Sequence, residues 1–98
     1  MEPTLFKDLV RVFLSDFPDG FSHLRAAREN RDAHQSAEWA HRLKGSASTL
    51  GAVLLTQLFQ NIEKQAGMGA WDTIGLLLRQ TDDEFCAVQN KLQTYLDE

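Results

Sequence analysis

The sequence predicts an all-α fold, an up-and-down antiparallel four-helix bundle with a short additional N-terminal helix. Three observations lead there. Apolar residues recur at helical spacing along almost the whole chain, no run alternates with period two, and the interruptions between periodic segments are short. Short connections between amphipathic helices make consecutive helices antiparallel neighbours.

Each element carries its own signals. Thr4 is placed to cap a first helix in which Leu5, Leu9, Val12 and Phe13 share a face. That helix is expected to stop near Asp16 and Phe17, because Pro18 disfavours helical backbone at the residue before it. Pro18 then opens a second helix running to about Asn30, with Phe21, Leu24 and Ala27 or Arg28 on successive turns. Asp32 with Gln35 three residues later resembles a capping box, Asp standing in for the usual Ser or Thr, and starts a third helix from Ala33 to about Leu50. Gly51 supplies a left-handed stop.

A fourth helix is expected from about Ala52 to Ala66, with Leu55, Leu58, Phe59, Ile62 and Ala66 as its stripe. Gly67-Met68-Gly69 is the clearest loop. The last helix, from about Ala70 to Leu96, carries Ile74, Leu77, Leu78, Phe85, Val88, Leu92 and Tyr95. At a helical rise of about 1.5 Å per residue it is roughly 40 Å long. No repeat, low-complexity segment or linker interrupts the pattern, so residues 1–98 read as one domain.

Composition narrows the function. The 98 residues are 43% hydrophobic and 24% charged, as expected of one globular domain. The net charge of -4, without a Lys/Arg cluster to neutralise a row of phosphates, argues against a nucleic-acid partner. A single cysteine, Cys86, excludes an internal disulfide and a thiolate metal cluster, and fits a reducing, cytoplasmic setting. No apolar run approaches the roughly 20 residues of a membrane span, and there is no signal-peptide-like h-region at the N-terminus.

The chemistry concentrates on the third helix. With about 100° of turn per residue, Ser36, Ala40, Leu43, Ala47 and Leu50 gather on a core-facing side. His41 projects from nearly the opposite side. His34, Ala37 and Glu38 flank it on preceding turns, and Lys44, Gly45 and Ser48 on following ones. A histidine on a polar face is ordinarily a solvated surface residue. Gly45 changes that reading, since glycine inside a helix costs roughly 1 kcal/mol relative to alanine and here sits one turn from His41 on the exposed face. Its missing side chain gives a bulky partner access to the imidazole edge. Close packing against another helix is the competing explanation, but position 45 points away from the core stripe. Lys44 reaches the same space with an ammonium, which beside a nucleophilic imidazole stabilises an attached phosphoryl group. Glu38 and Ser48 complete the candidate partner-facing surface.

Ala40-His41-Arg42-Leu43-Lys44-Gly45-Ser46-Ala47, followed by Leu50-Gly51-Ala52, resembles the signature of histidine-containing phosphotransfer (HPt) domains of multistep two-component relays. The similarity extends over nearly the whole chain, from the Phe-rich first helix through Leu24, Ala27 and the Ile62-Glu63 pair to Leu92-Gln93-Thr94-Tyr95-Leu96. The resemblance implies a four-helix bundle, a phosphoryl group on Nε2 of His41, a supporting role for Lys44 and clearance at Gly45. It also implies a polar side chain from the next helix on the other ring nitrogen. Glu63 is the candidate for that place, with Gln60 and Gln65 as alternatives that a small helix rotation would select. Some members carry a basic residue one turn beyond this Glu, where this chain has Gly67.

Phosphoryl transfer from an acyl phosphate needs a neutral imidazole, an in-line approach and charge neutralisation. The sequence has no Gly-rich nucleotide loop, no Walker lysine and no carboxylate cluster for Mg²⁺. The expectation is a monomeric phosphocarrier without autokinase or ATPase activity and without a cofactor. Mg²⁺ and the acyl phosphate then belong to a partner receiver domain, of a hybrid sensor kinase or a response regulator. Two alternatives stand beside it. One is a docking module that keeps the fold without phosphotransfer. The other is a metal face of His34, Glu38 and His41, at i, i+4 and i+7, which leaves Lys44 and Gly45 unexplained.

Overall fold

The computed structural model describes residues 3–98, with side chains from residue 5 onward. Four helices follow in order: α1 (Pro3–Glu29), α2 (Ala33–Thr49), α3 (Val53–Gly67) and α4 (Trp71–Asp97). Each packs against its neighbour in sequence, and α1 closes the ring against α4. The bundle measures 43 × 20 × 20 Å, its long dimension set by the two 27-residue helices α1 and α4. Among the described residues there is no strand.

The expected break near Pro18 is absent, and the short additional N-terminal helix is the first half of α1. α1 runs from Pro3, and the Thr4 side chain, expected as its cap, lies outside the described residues. Packing explains the continuity. Phe13, Phe17, Phe21 and Leu24 are all buried and keep one helical stripe across Pro18. Phe17 stacks on Phe85 at 3.9 Å between ring centroids, and lies 5.4 Å from Phe21 and 5.8 Å from Phe59. An interior proline costs about 3 kcal/mol, whereas burying each of these side chains contributes about 1.5–3 kcal/mol. Several aromatic side chains outweigh one lost hydrogen bond, and the proline ring faces solvent.

The buried face of α1 also differs from the expected stripe. Val10 and Phe13 are buried, while Leu5, Leu9 and Val12 are 59%, 45% and 57% exposed. Treating the first half as a separate helix removes the constraint that its stripe continue into Phe17, Phe21 and Leu24.

The other boundaries fall close to expectation. Asp32 caps α2 by accepting the amide of Gln35 at 3.0 Å. Gly51, at φ 73°, ends the turn after α2 in the left-handed region, where a side chain would be strained. Ser36, Ala40, Leu43 and Ala47 of α2 are buried, with Leu50 half-buried beside the core. Leu55, Phe59, Ile62 and Ala66 face them from α3. This close pairing of α2 with α3 fixes the rotation of each helix and so decides which polar residues meet at the rim.

Candidate functional site

Burial of Ala40 and Leu43 turns the intervening His41 outward, leaving its side chain 66% exposed. On the neighbouring helix, burial of Ile62 and Ala66 brings Glu63 to the α2 side of α3, half-buried. Glu63 divides its carboxylate between two α2 residues. Oε2 lies 3.3 Å from Nδ1 of His41, and Oε1 accepts a hydrogen bond from Nζ of Lys44 at 3.0 Å. Neither Gln60 nor Gln65 makes a polar contact with the imidazole among the described residues. Burial alone would raise the Glu63 pKa, but the hydrogen bond and positive charge of Lys44, with a smaller contribution from His41, reverse that and hold it below the ordinary carboxylate value. The Glu63–Lys44 contact is the shorter of the two and the one that keeps Glu63 ionised.

Contact with Nδ1 leaves Nε2 as the ring nitrogen that faces outward without this partner. A carboxylate at this place favours the tautomer with hydrogen on Nδ1 and a lone pair on Nε2. Gly45, one turn on, is exposed, and a Cβ built there would meet nothing within 4 Å. Lys44 is less accessible, at 26% side-chain exposure, and its ammonium rests on Glu63 rather than standing free above the ring. Position 67 is equally open, and as glycine it brings no cation to the site.

Glu38 faces the other flank of His41. Its Oε1 accepts from Arg42 at 3.1 Å, and its Oε2 lies 3.5 Å from Nε2 of His34. Ser48 is exposed on the His41 side of α2. The three-ligand metal face does not assemble, because Glu38 turns to Arg42 and His34 while His41 turns to Glu63. Among the described residues no group of three His, Cys, Asp or Glu side chains is placed to hold a metal ion. Two neighbours went unread in the sequence. Arg42 lies over the Trp39 ring, 4.8 Å from its centroid, and the His23 ring stacks parallel to Trp39 at 4.5 Å. The i, i+4 spacing of Glu38 and Arg42 was a readable signal. The approach of His23 from α1 has no such signal, because it depends on how α1 and α2 pack.

An exposed imidazole with one nitrogen held by a carboxylate, a lysine on that carboxylate and an open glycine beside it are set on an antiparallel helical bundle. The Hpt domain family model matches residues 8–97. The chain belongs to the Hpt domain family. The crystal structure of histidine-containing phosphotransfer protein B (HptB) from Pseudomonas aeruginosa PAO1 is similar, with 28% sequence identity and a TM-score of 0.89. That match covers 93% of this chain and 79% of the other. No curated protein sequence gave a match. As an Hpt domain, the chain has a histidine phosphotransfer role in phosphorelays, with receiver domains or response regulators as its class of partner. Such domains are phosphocarriers and not enzymes of the usual kind. No helix among the described residues is long and apolar enough to cross a membrane.

Proposed function

We propose that His41 accepts a phosphoryl group on Nε2 from the aspartyl phosphate of a receiver domain and passes it to the aspartate of a response regulator. The observation that carries this reading is the shared carboxylate of Glu63, 3.3 Å from Nδ1 of His41 and 3.0 Å from Nζ of Lys44. The Nε2 lone pair attacks phosphorus in line, the acyl P–O bond breaks, and the receiver keeps its carboxylate. The ring gains positive charge while Nδ1 retains its proton against Glu63, so no proton has to move during transfer. That charge also makes the imidazole a better leaving group for the second transfer. Lys44 moves its ammonium from Glu63 toward the arriving phosphoryl oxygens, a short exchange between two acceptors. Gly45 leaves room for the receiver's loops, and Glu38 and Ser48 contribute surface around that approach.

The chain acts in this scheme as a monomer in the cytoplasm, with no nucleotide, cofactor or metal of its own. Mg²⁺ sits in the partner's site, where it neutralises the transferring group. The test is incubation with a receiver carrying labelled aspartyl phosphate. Label should appear on this chain in an acid-labile, alkali-stable bond and should be lost in His41→Gln with its helical circular dichroism intact. Label retained by His41→Gln, or mapped to His23 or His34, would overturn the assignment.

A further inference from the structure

Arg42 follows His41 directly and is restrained from more than one direction. One guanidinium nitrogen donates to Glu38 Oε1 at 3.1 Å, and Cζ lies 4.8 Å from the centroid of the Trp39 ring. Trp39 is itself half-buried and stacked on His23, with 6° between the ring planes. Gly20 lets α1 and α2 approach closely beside it, since a Cβ there would stand 3.0 Å from Leu43. Side chains of α1 and α2 thus converge to hold one cation that is still 59% exposed.

Its placement relative to the site is informative. Around α2, Lys44 and Arg42 flank His41 on opposite sides, at about 60° and 100°, and the opening at Gly45 lies about 40° round on the Arg42 side. A partner that enters over Gly45 therefore meets Arg42, while Lys44 is engaged with Glu63 on the α3 side. Only one nitrogen of the guanidinium has a side-chain acceptor among the described residues, leaving further N–H donors for a partner. A freely rotating arginine loses side-chain entropy on binding, and a stacked one has lost much of it beforehand.

Resting on the phosphotransfer reading above, we propose that Arg42 is a partner-reading residue of this surface. Its fixed guanidinium takes a carboxylate or carbonyl oxygen at the rim of the receiver's phosphorylation site, without acting on the transferring group. A partner site that binds Mg²⁺ is built from carboxylates and carbonyl oxygens, and a planar guanidinium matches such acceptors better than an ammonium does.

Two phosphoryl donors separate recognition from transfer. One is a phosphorylated receiver, and the other is phosphoramidate, which offers no protein surface. With the receiver, Arg42→Ala should raise the apparent KM about tenfold and leave the limiting rate unchanged, as expected for loss of a charged contact at the edge of an interface. With phosphoramidate, its rate of His41 labelling should match that of the unaltered chain. Arg42→Lys should recover little, because it restores charge without the fork or the stack. An unchanged KM in Arg42→Ala, or full recovery in Arg42→Lys, overturns the proposal. So does a slowed phosphoramidate reaction, which would place Arg42 in the transfer step. If the unaltered chain takes label from neither donor, the phosphotransfer reading itself fails, and this inference with it.

Discussion

Glu63 contacts two side chains of α2 at once, and the two contacts can be separated by substitution. Lys44→Ala removes the cation but leaves His41 and Glu63 in place, so phosphotransfer should slow at least tenfold while the helical circular dichroism is unchanged. The cost in stability should stay below about 1 kcal/mol, the usual range for a solvent-accessible pair. An unchanged transfer rate would reduce Lys44 to a surface charge. Glu63→Gln probes the acid side. Because the folded pKa of Glu63 lies below its ordinary value, its charge stabilises the fold above the ordinary carboxylate range, and that contribution is lost as pH falls through the lowered folded value. The melting-temperature gap between the unaltered chain and Glu63→Gln should therefore be open at neutral pH and close in acid. A gap that persists unchanged into acid would contradict the ion pair as its origin.

Gly45 gives a sharper residue-scale test, because stability and function should move apart. With open space where a Cβ would be built, Gly45→Ala should raise stability by up to about 1 kcal/mol through helix propensity. Gly45→Glu should stay folded yet lose transfer, since it blocks the approach and sets a negative charge beside the phosphoryl group. Thermal melts and transfer kinetics on both variants check this, and normal transfer by Gly45→Glu would show that partners do not approach over this turn. The positions of His41, Lys44 and Gly45 on one face were legible because they lie on a single helix, where a 100° rotation per residue suffices. Glu63 could be named only through the family resemblance, with two glutamines beside it, because the relative rotation of α2 and α3 is set by how Leu43, Ala47, Phe59 and Ile62 pack.

At the scale of elements, α1 is where local rules and packing disagree. Pro18 is unfavourable within a helix and predicts a break there, yet Phe17 and Phe21 on either side of it need one continuous helix to reach Phe59 and Phe85. The sequence shows each phenylalanine but not the partner that holds it, so the break was the natural reading. Because α1 is continuous across Pro18, Pro18→Ala should restore the missing backbone hydrogen bond and raise stability by about 1–2 kcal/mol, after allowing for the stiffening that proline gives the unfolded chain. Denaturant unfolding monitored by circular dichroism measures this. A lower stability for Pro18→Ala would mean that proline favours the native backbone there. The boundaries of α2, α3 and α4 were readable to within a residue or two, because Asp32, Gly51 and the Gly67–Gly69 turn are local signals that packing does not oppose.

Over the whole molecule, the bundle serves to hold two helix faces in register. The paired cores of α2 and α3 place an exposed imidazole from one against a carboxylate from the other, and the long helices α1 and α4 close the ring around them. In the proposed transfer Glu63 holds Nδ1, and the phosphoryl group goes to one atom, Nε2 of His41. Heteronuclear NMR of the phosphorylated, ¹⁵N-labelled chain reads that atom directly, since coupling to phosphorus identifies the bonded ring nitrogen. The expected result is a single phosphohistidine at His41, bonded through Nε2 and with Nδ1 protonated. A phosphorus coupled to Nδ1 of His41, or to a ring nitrogen of His23 or His34, would contradict it.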